Sequence, residues 1–180
     1  MNKPKLYCDC DGVLLNTIEV AFQIMRRHGV DTSNRIEVDE YFHRFIDWKE
    51  IFKKVEFINN ADKRLLYIKE KKIFEDIIIL TKLSGGYDEE RLKREIFQKA
   101  LSGIKVVTLQ YGLNKGLVVP AKDNVLVDDE IGNYHEWQKE EGVPILFSPY
   151  MFSLENNIIN DLSDLTNTAG VKKLLKTRNF

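Results

Sequence analysis

The sequence contains few residues of the kinds that mark disulfide-rich, fibrous or disordered chains. Its 180 residues include only two cysteines, four prolines and ten glycines, which excludes a disulfide framework and a low-complexity chain. No window approaches the ~18 consecutive apolar residues of a membrane helix, and the longest tight run is 77–80. The length predicts one domain with a sizeable core and room for a small subdomain.

An excess of charge of one sign is also missing. The 27 Lys and Arg residues balance 28 Asp and Glu residues, which gives a formal net charge of −1. We therefore expect neither a nucleic-acid polymer nor a membrane as the main partner. The basic segment at residues 1–5 precedes an apolar stretch that stops at Asp9, too soon for a signal peptide. These features predict a cytoplasmic protein, and they leave its oligomeric state open.

The two cysteines, Cys8 and Cys10, are separated by one residue. In an extended strand that spacing makes a disulfide geometrically poor. A metal site would need further ligands, and the three histidines are scattered without ligand spacing. We interpret both cysteines as small apolar side chains that pack beneath a sheet.

Five short apolar runs are typical of buried strands. They span residues 5–8, 77–80, 104–109, 124–127 and 144–147. Continuous apolar runs favour a parallel sheet that is covered on both faces. Helical spacing follows at 88–101, where Lys93 and most other charged residues are expected to point outward, and at 132–141. The alternation predicts an α/β, Rossmann-like parallel sheet with helices on both faces.

A long helical stretch interrupts this alternation. Residues 16–74 contain several helical patterns and no convincing strand. We interpret them as a small helical cap inserted after the first strand, with residues 1–15 and 75–180 forming the core. Aromatic residues at helical spacing are usually buried, but Phe45 and Trp48 are also candidates to stack against a substrate. The tail after Ser148 is polar and loop-like until a last helix at 168–177.

Polar residues follow four of the predicted strands, at the edge where open parallel sheets place ligand groups. They are Asp9, Asp11 and Gly12 after the first strand, Thr81 and Lys82 after the second, Lys115 after the third, and Asp128 and Asp129 after the fourth. Each has an ordinary explanation on its own, such as a turn, a strand-end hydroxyl or a helix cap. Their joint occurrence in this order predicts one pocket.

This set of residues fits the hydrolysis of a phosphate monoester, which is among the slowest reactions in water. A carboxylate nucleophile such as Asp9 divides the reaction through an aspartyl-phosphate. Because Asp9 and phosphate are both anions, a cation is needed between them, and Mg²⁺ prefers carboxylates, phosphate oxygens and water. Lys115 supplies further positive charge. Asp11 is suited to protonate the leaving oxygen and then to activate water.

The sequence resembles the haloacid dehalogenase (HAD) superfamily of aspartate-nucleophile phosphohydrolases. The resemblance rests on LYCDCDGVLLNT at 6–17, IIILTKLSGG at 77–86, NKG at 114–116 and NVLVDDEIGNYHEWQKEEGVPILF at 124–147. Within the superfamily it is most similar to the 5′(3′)-deoxyribonucleotidase-like branch and related phage or bacterial phosphatases; that branch has a small helical cap between the first two motifs. The threonine and lysine motifs are degenerate, whereas the first and last motifs are specific.

The resemblance implies a role for each matched residue. Asp9 would be the nucleophile and Asp11 the general acid and base. The implied Mg²⁺ ligands are Asp9, Asp11 through its backbone carbonyl, Asp128 and Asp129. The implied phosphate-binding residues are Gly12, Thr81, Lys82 and Lys115, with Lys105 or Lys122 as alternatives to Lys115. The implied substrate is a small phosphomonoester, with a nucleoside monophosphate favoured.

Other functions remain open from the sequence. The same fold can serve as a catalytically idle binding module, although such a module needs none of the four acids. A phosphotransferase would pass the phosphoryl group to an acceptor other than water. A phospho-receiver domain would need its acceptor aspartate on the third strand and no long insertion after the first.

Overall fold

The protein is described here by a computed structural model that covers residues 3–85 and 87–177, so Gly86 of the second motif lies outside the described residues. The strands are β1 (Leu6–Cys8), β2 (Ile77–Leu83), β3 (Lys105–Gln110), β4 (Val125–Asp128), β5 (Val143–Phe147) and β6 (Ile158–Ile159). They form one parallel sheet in the order β3-β2-β1-β4-β5-β6. The predicted α/β parallel sheet is therefore confirmed.

Four of the described helices lie between β1 and β2, and the others follow later strands. The helices are α1 (Thr17–Arg27), α2 (Arg35–Arg44), α3 (Trp48–Phe52), α4 (Ala61–Glu70), α5 (Tyr87–Ala100), α6 (Lys115–Val118), α7 (Ile131–Lys139) and α8 (Ala169–Thr177), with short 3₁₀ helices at Ile58–Asn60 and Leu162–Asn167. Within the described ranges, no helix has both the length and the apolar character that a membrane crossing requires.

Both faces of the sheet are covered by apolar side chains. Leu6, Cys8 and Cys10 face the larger layer, to which α4, α5 and α8 contribute. Tyr7 points to the opposite face, where its ring lies 5.3 Å from that of Trp137 on α7. Both cysteines are free and buried, as expected for apolar packing.

The segment between β1 and β2 contains two kinds of helix. Helices α1 and α3 build a separate apolar cluster around Val20, Ile24 and Ile51. Helix α4 instead packs Leu65 and Ile68 into the main core, as a crossover helix does. The predicted division into a core and a cap at residues 16–74 stays a prediction.

One strand is not predicted from the sequence. β6 consists of only two residues in a polar tail, so it produces no apolar run. It pairs beside β5 through Leu146 and Phe147. The helix expected at 168–177 is present as α8.

The sheet order explains where a site can form. From β1 the chain builds outward to β2 and β3, and then returns to the other side of β1 to form β4. The strand order reverses at this place, which is called the topological switch point, and a crevice opens there at the carboxyl ends of the adjacent strands. Asp9 directly follows β1 and Asp128 ends β4, so both lie at this switch point.

Candidate active site

Lys115 joins the two aspartates at the switch point. Its Nζ lies 2.6 Å from Asp9 Oδ1 and 2.7 Å from Asp128 Oδ2, and all three side chains are buried. Lys115 is the first residue of α6, and the side chain of Asn114 caps this helix by accepting the N–H of Gly116. The cap therefore fixes the point from which Lys115 reaches the aspartates.

A third carboxyl group completes this group of acids. One oxygen from each of Asp9, Asp128 and Asp129 lies within 4.8 Å of the other two. Gly12 has a φ of +76°, and a Cβ atom there would lie 2.2 Å from Asp129 Oδ2. Glycine at this position therefore makes room for the carboxyl group of Asp129.

The charges of this group favour a bound cation. Burial raises the pKa of Asp9, the charges of Asp128 and Asp11 add to the effect, and Lys115 opposes it. Burial of its carboxyl group, followed by the charges of Asp9 and Asp128, raises the pKa of Asp129 to about 8, although the residue as a whole is exposed. If all three groups were ionised, one ammonium group would leave a surplus of negative charge, and the raised pKa values show that this surplus is unfavourable without a further cation. Oxygen donors with such a surplus fit Mg²⁺, and Asp9, Asp128 and Asp129 could hold it.

The side chain of Asp11 belongs to a different cluster. Its Oδ1 accepts a hydrogen bond from Thr17 Oγ1 at 2.6 Å, and its Oδ2 pairs with Lys93 Nζ at 2.5 Å. Thr81 Oγ1 lies 3.4 Å from the same Oδ2 atom. The predicted metal contact through the Asp11 backbone carbonyl stays a prediction.

Lys93 contradicts the expectation that it points outward. Its side chain is fully buried, with Nζ also 2.8 Å from Glu89 Oε1. The other carboxyl oxygen of Glu89 accepts the backbone N–H groups of Ser84 and Gly85. The spacing of Glu89 and Lys93 is no different from that of the exposed pair Glu90–Arg94 on the same helix, so the sequence carries no signal of their burial.

Asn133 is a second site residue that no sequence pattern indicates. It is buried in the first turn of α7, and its Nδ2 donates to Asp128 Oδ1 at 3.0 Å. Lys82, expected to bind phosphate, donates from Nζ to Asn133 Oδ1 at 2.7 Å. In this structure Lys82 therefore supports Asp128 through Asn133.

The alternatives to Lys115 lie elsewhere. Lys105 is the exposed first residue of β3, at the opposite end of the strand from the site. Lys122 is exposed and pairs with Glu141. Of the three lysines, Lys115 reaches the aspartates.

The two substrate candidates differ in exposure. Trp48 is only 8% exposed, with its ring packed near Phe52 and over the ammonium group of Lys93. Phe45 is 63% exposed. Protein atoms cover most of Trp48, although it still lines a surface cleft, whereas Phe45 offers an accessible face. The stacking role of either residue stays a prediction.

Solved structures share this architecture at low sequence identity. The chain is similar to a HAD hydrolase of family IA, variant 3, from Entamoeba histolytica, with a TM-score of 0.62, 13% identity and coverage of 96% of this chain and 99% of that chain. A putative HAD hydrolase from Bacillus subtilis bound to magnesium has a TM-score of 0.57 and 12% identity, covering 93% of this chain and 98% of that chain.

The protein CbbY from Rhodobacter sphaeroides, in complex with phosphate, is similar with a TM-score of 0.57 and 14% identity, covering 94% of this chain and 99% of that chain. No protein-family model and no curated protein matches the sequence. The sheet order and these structural likenesses together give the chain the α/β fold of the haloacid dehalogenase-like hydrolases.

Proposed function

We propose that the protein is a Mg²⁺-dependent HAD phosphohydrolase that cleaves small phosphomonoesters through an aspartyl-phosphate on Asp9. The observation that carries this proposal is the group of Asp9, Asp128 and Asp129 around Lys115 at the switch point of the sheet. A further carboxyl group, Asp11, follows Asp9 by two residues and is held separately. Solved structures of the same fold that are bound to magnesium or in complex with phosphate support the assignment.

In the first step, a carboxylate oxygen of Asp9 attacks phosphorus and the bond to the leaving oxygen breaks. The leaving oxygen takes a proton from Asp11, and Lys115 offsets the charge of Asp9 and the phosphoryl group. In the second step, Asp11 takes a proton from water, whose oxygen attacks phosphorus and releases Asp9 and inorganic phosphate. Mg²⁺ held by Asp9, Asp128 and Asp129 would supply positive charge that reduces the repulsion between the two anions.

The environment of Asp11 determines how it obtains its proton. Burial acts to raise the pKa of Asp11, but Lys93 and Thr17 outweigh burial and lower it. Asp11 is therefore ionised in the ligand-free protein, which suits its role as a base in the second step. For the first step, the substrate binds as its monoanion, since a phosphate monoester has its second pKa at about 6, and its proton passes to Asp11 and from there to the leaving oxygen.

The substrate proposed is a nucleoside monophosphate, in line with the resemblance to the deoxyribonucleotidase-like branch. A cleft of about 490 Å³ lies between the α2–α3 segment and the loop after β2, with Phe42, Trp48 and Ser84 among its lining residues. It borders the Asp11 cluster, because the ring of Trp48 lies over Lys93. Phe45 lies on the same segment, outside the lining of this cleft and with its ring beside Tyr41, and its exposed face is the one we propose to stack against a base. In this proposal residues 16–74 act as the cap over the site.

The test is a phosphatase screen over nucleoside 5′- and 3′-monophosphates, sugar phosphates and 4-nitrophenyl phosphate, with Mg²⁺ and with a chelator. Asp9→Asn is the inactive control, and the exposed Asp39→Asn is its matched surface variant. We expect Mg²⁺-dependent release of phosphate that Asp39→Asn retains and Asp9→Asn loses. Full activity in chelator contradicts the proposal. Faster turnover of sugar phosphates than of every nucleotide contradicts only the proposed substrate class. If the leaving alcohol is released without an equal amount of inorganic phosphate, the phosphoryl group is transferred to an acceptor other than water.

A further inference from the structure

Lys93 is a buried cation that the proposed reaction does not use directly. Its side chain is 0% exposed, so it reaches neither solvent nor a bound substrate. Its Nζ lies within 2.5 Å of Asp11 Oδ2, 2.8 Å of Glu89 Oε1, 3.1 Å of Thr81 Oγ1 and 3.2 Å of the Lys82 carbonyl oxygen. An ammonium group has three N–H donors, and these four acceptors account for all of them.

Lys93 and Thr17 together fix the orientation of Asp11. Thr17 holds one oxygen of the carboxyl group and Lys93 holds the other. The side chain of Asp11 remains 18% exposed, so the carboxyl group is not sealed off from a substrate. A displacement of about 1 Å in such a group can lower a rate about 100-fold.

Two residues from different parts of the chain hold Lys93. Glu89 lies one helical turn earlier on α5, and its own position is fixed by backbone N–H groups of the loop after β2. Trp48, on α3, places its ring centroid 5.5 Å from Lys93 Nζ, within the range of a cation–π interaction. Lys93 therefore connects the α1–α3 cluster to Asp11.

We propose that Lys93 is a positioning residue that holds the carboxyl group of Asp11 for proton transfer, and that Trp48 keeps Lys93 in place from the α1–α3 side. This inference rests on the proposed function, in which Asp11 transfers the proton. A buried ammonium group is costly unless it is paired, and here one of its two carboxylate partners is the acid that handles the proton.

The first experiment compares two substrates that differ in their need for an acid. An alkyl phosphate has a poor leaving group that must be protonated, whereas 4-nitrophenyl phosphate leaves readily without a proton. Lys93→Met is expected to lower kcat for glycerol 2-phosphate about 100-fold and for 4-nitrophenyl phosphate about threefold, with KM changed less than about twofold. Lys99→Met, an exposed lysine on the same helix, is the matched control and should keep both rates.

A double variant separates positioning from general damage. If Lys93 acts through Asp11, the variant Asp11→Asn/Lys93→Met loses no more activity than Asp11→Asn alone. Trp48→Phe should show the same selectivity for the alkyl substrate with a smaller loss, of about fivefold. Equal losses on both substrates, or multiplying losses in the double variant, overturn the proposal.

A charge-balanced variant covers the case in which Lys93→Met does not fold. Lys93→Met/Glu89→Gln removes one positive and one negative charge, so the buried cluster keeps its net charge. It should fold and show the same selective loss, and its crystal structure should show the Asp11 carboxyl group displaced or in several conformers. If the Asp11 carboxyl group is unmoved and has a single conformer in that crystal structure, the positioning role is overturned, whatever the activity of the protein. If the wild-type protein hydrolyses neither substrate, the proposed function is contradicted instead.

Discussion

Two buried lysines of this protein have similar partners but different surroundings. Lys115 pairs with Asp9 and Asp128, and Lys93 pairs with Asp11 and Glu89. Beside Lys115 lies a third carboxyl group, that of Asp129, whose residue is exposed and whose raised pKa leaves it ready to exchange a proton for a cation. Around Lys93 a hydroxyl, a carbonyl and an indole ring close the cluster. The Lys115 cluster is therefore suited to receive a cation and an anionic substrate, whereas the Lys93 cluster is suited to hold a side chain still.

The strongest test of this contrast is to neutralise Asp9. Asp9→Asn keeps the shape of the side chain and leaves Lys115 paired with Asp128, so the fold should persist. Loss of the nucleophile should lower kcat by more than about 1,000-fold, measured with 4-nitrophenyl phosphate. Thermal melting of the variant checks that it is folded. A variant that retains more than about a hundredth of wild-type activity would rule out the covalent mechanism.

The second test concerns the metal. Asp128→Ala should raise the Mg²⁺ concentration for half-maximal activity about 100-fold, and Asp129→Ala should raise it less, because Asp128 is also tied to Lys115 and Asn133. Mg²⁺ at ten times its Kd should stabilise the wild-type protein by about 1.4 kcal/mol in thermal melting, and Ca²⁺ should support activity poorly. Equal effects of the two substitutions would show that their roles are assigned wrongly.

The third test addresses the support of the Lys115 cluster. Asn133→Ala removes the donor to Asp128 Oδ1 and should weaken Mg²⁺ binding about tenfold, measured by calorimetry. Lys82→Met should have a smaller effect in the same direction, because it acts through Asn133. His135→Ala, an exposed position on the same helix, is the control. Unchanged Mg²⁺ affinity in Asn133→Ala would separate Asn133 from the metal site.

The two clusters also differ in how far the sequence predicts them. Asp9, Thr81, Lys115 and Asp128 follow buried apolar runs, so the parallel sheet and its order bring them to one edge. Lys93 lies among charged residues of an amphipathic helix, and only tertiary packing shows that it points inward. Burial of Trp48 and the pairing of β6 likewise depend on contacts between distant segments.

A fourth test uses pH. The raised pKa of Asp129 means that the folded, metal-free protein binds more protons than the unfolded chain between about pH 4 and 8. Its stability should therefore fall as pH rises through this interval. Because Mg²⁺ competes with the same proton, Mg²⁺ affinity should rise up to about pH 8. Calorimetry at pH 6, 7 and 8 measures the slope, and Asp129→Asn should reduce it; an unchanged slope contradicts the assignment.

The smallest expected effect lies outside both clusters. Phe45→Ala should raise KM for nucleoside monophosphates about fivefold while leaving kcat and the hydrolysis of 4-nitrophenyl phosphate unchanged. Ile36→Ala, an exposed apolar residue on α2, is the control. An equal rise of KM for 4-nitrophenyl phosphate would indicate that Phe45 acts on the shape of the segment and does not stack against a base.

The central place of β1 has a consequence for how the protein folds. Leu6 pairs with Ile77 on one side and with Val125 on the other, so β1 leaves the ribosome before both of its partner strands and pairs only when they have been made. Such distant pairing slows folding, because chain entropy is lost before the contacts form. Asp9 meets Lys115 and Asp128 only after this pairing. Truncated chains that end before β4 therefore lack the active site and expose an unpaired edge of β1, where aggregation is expected.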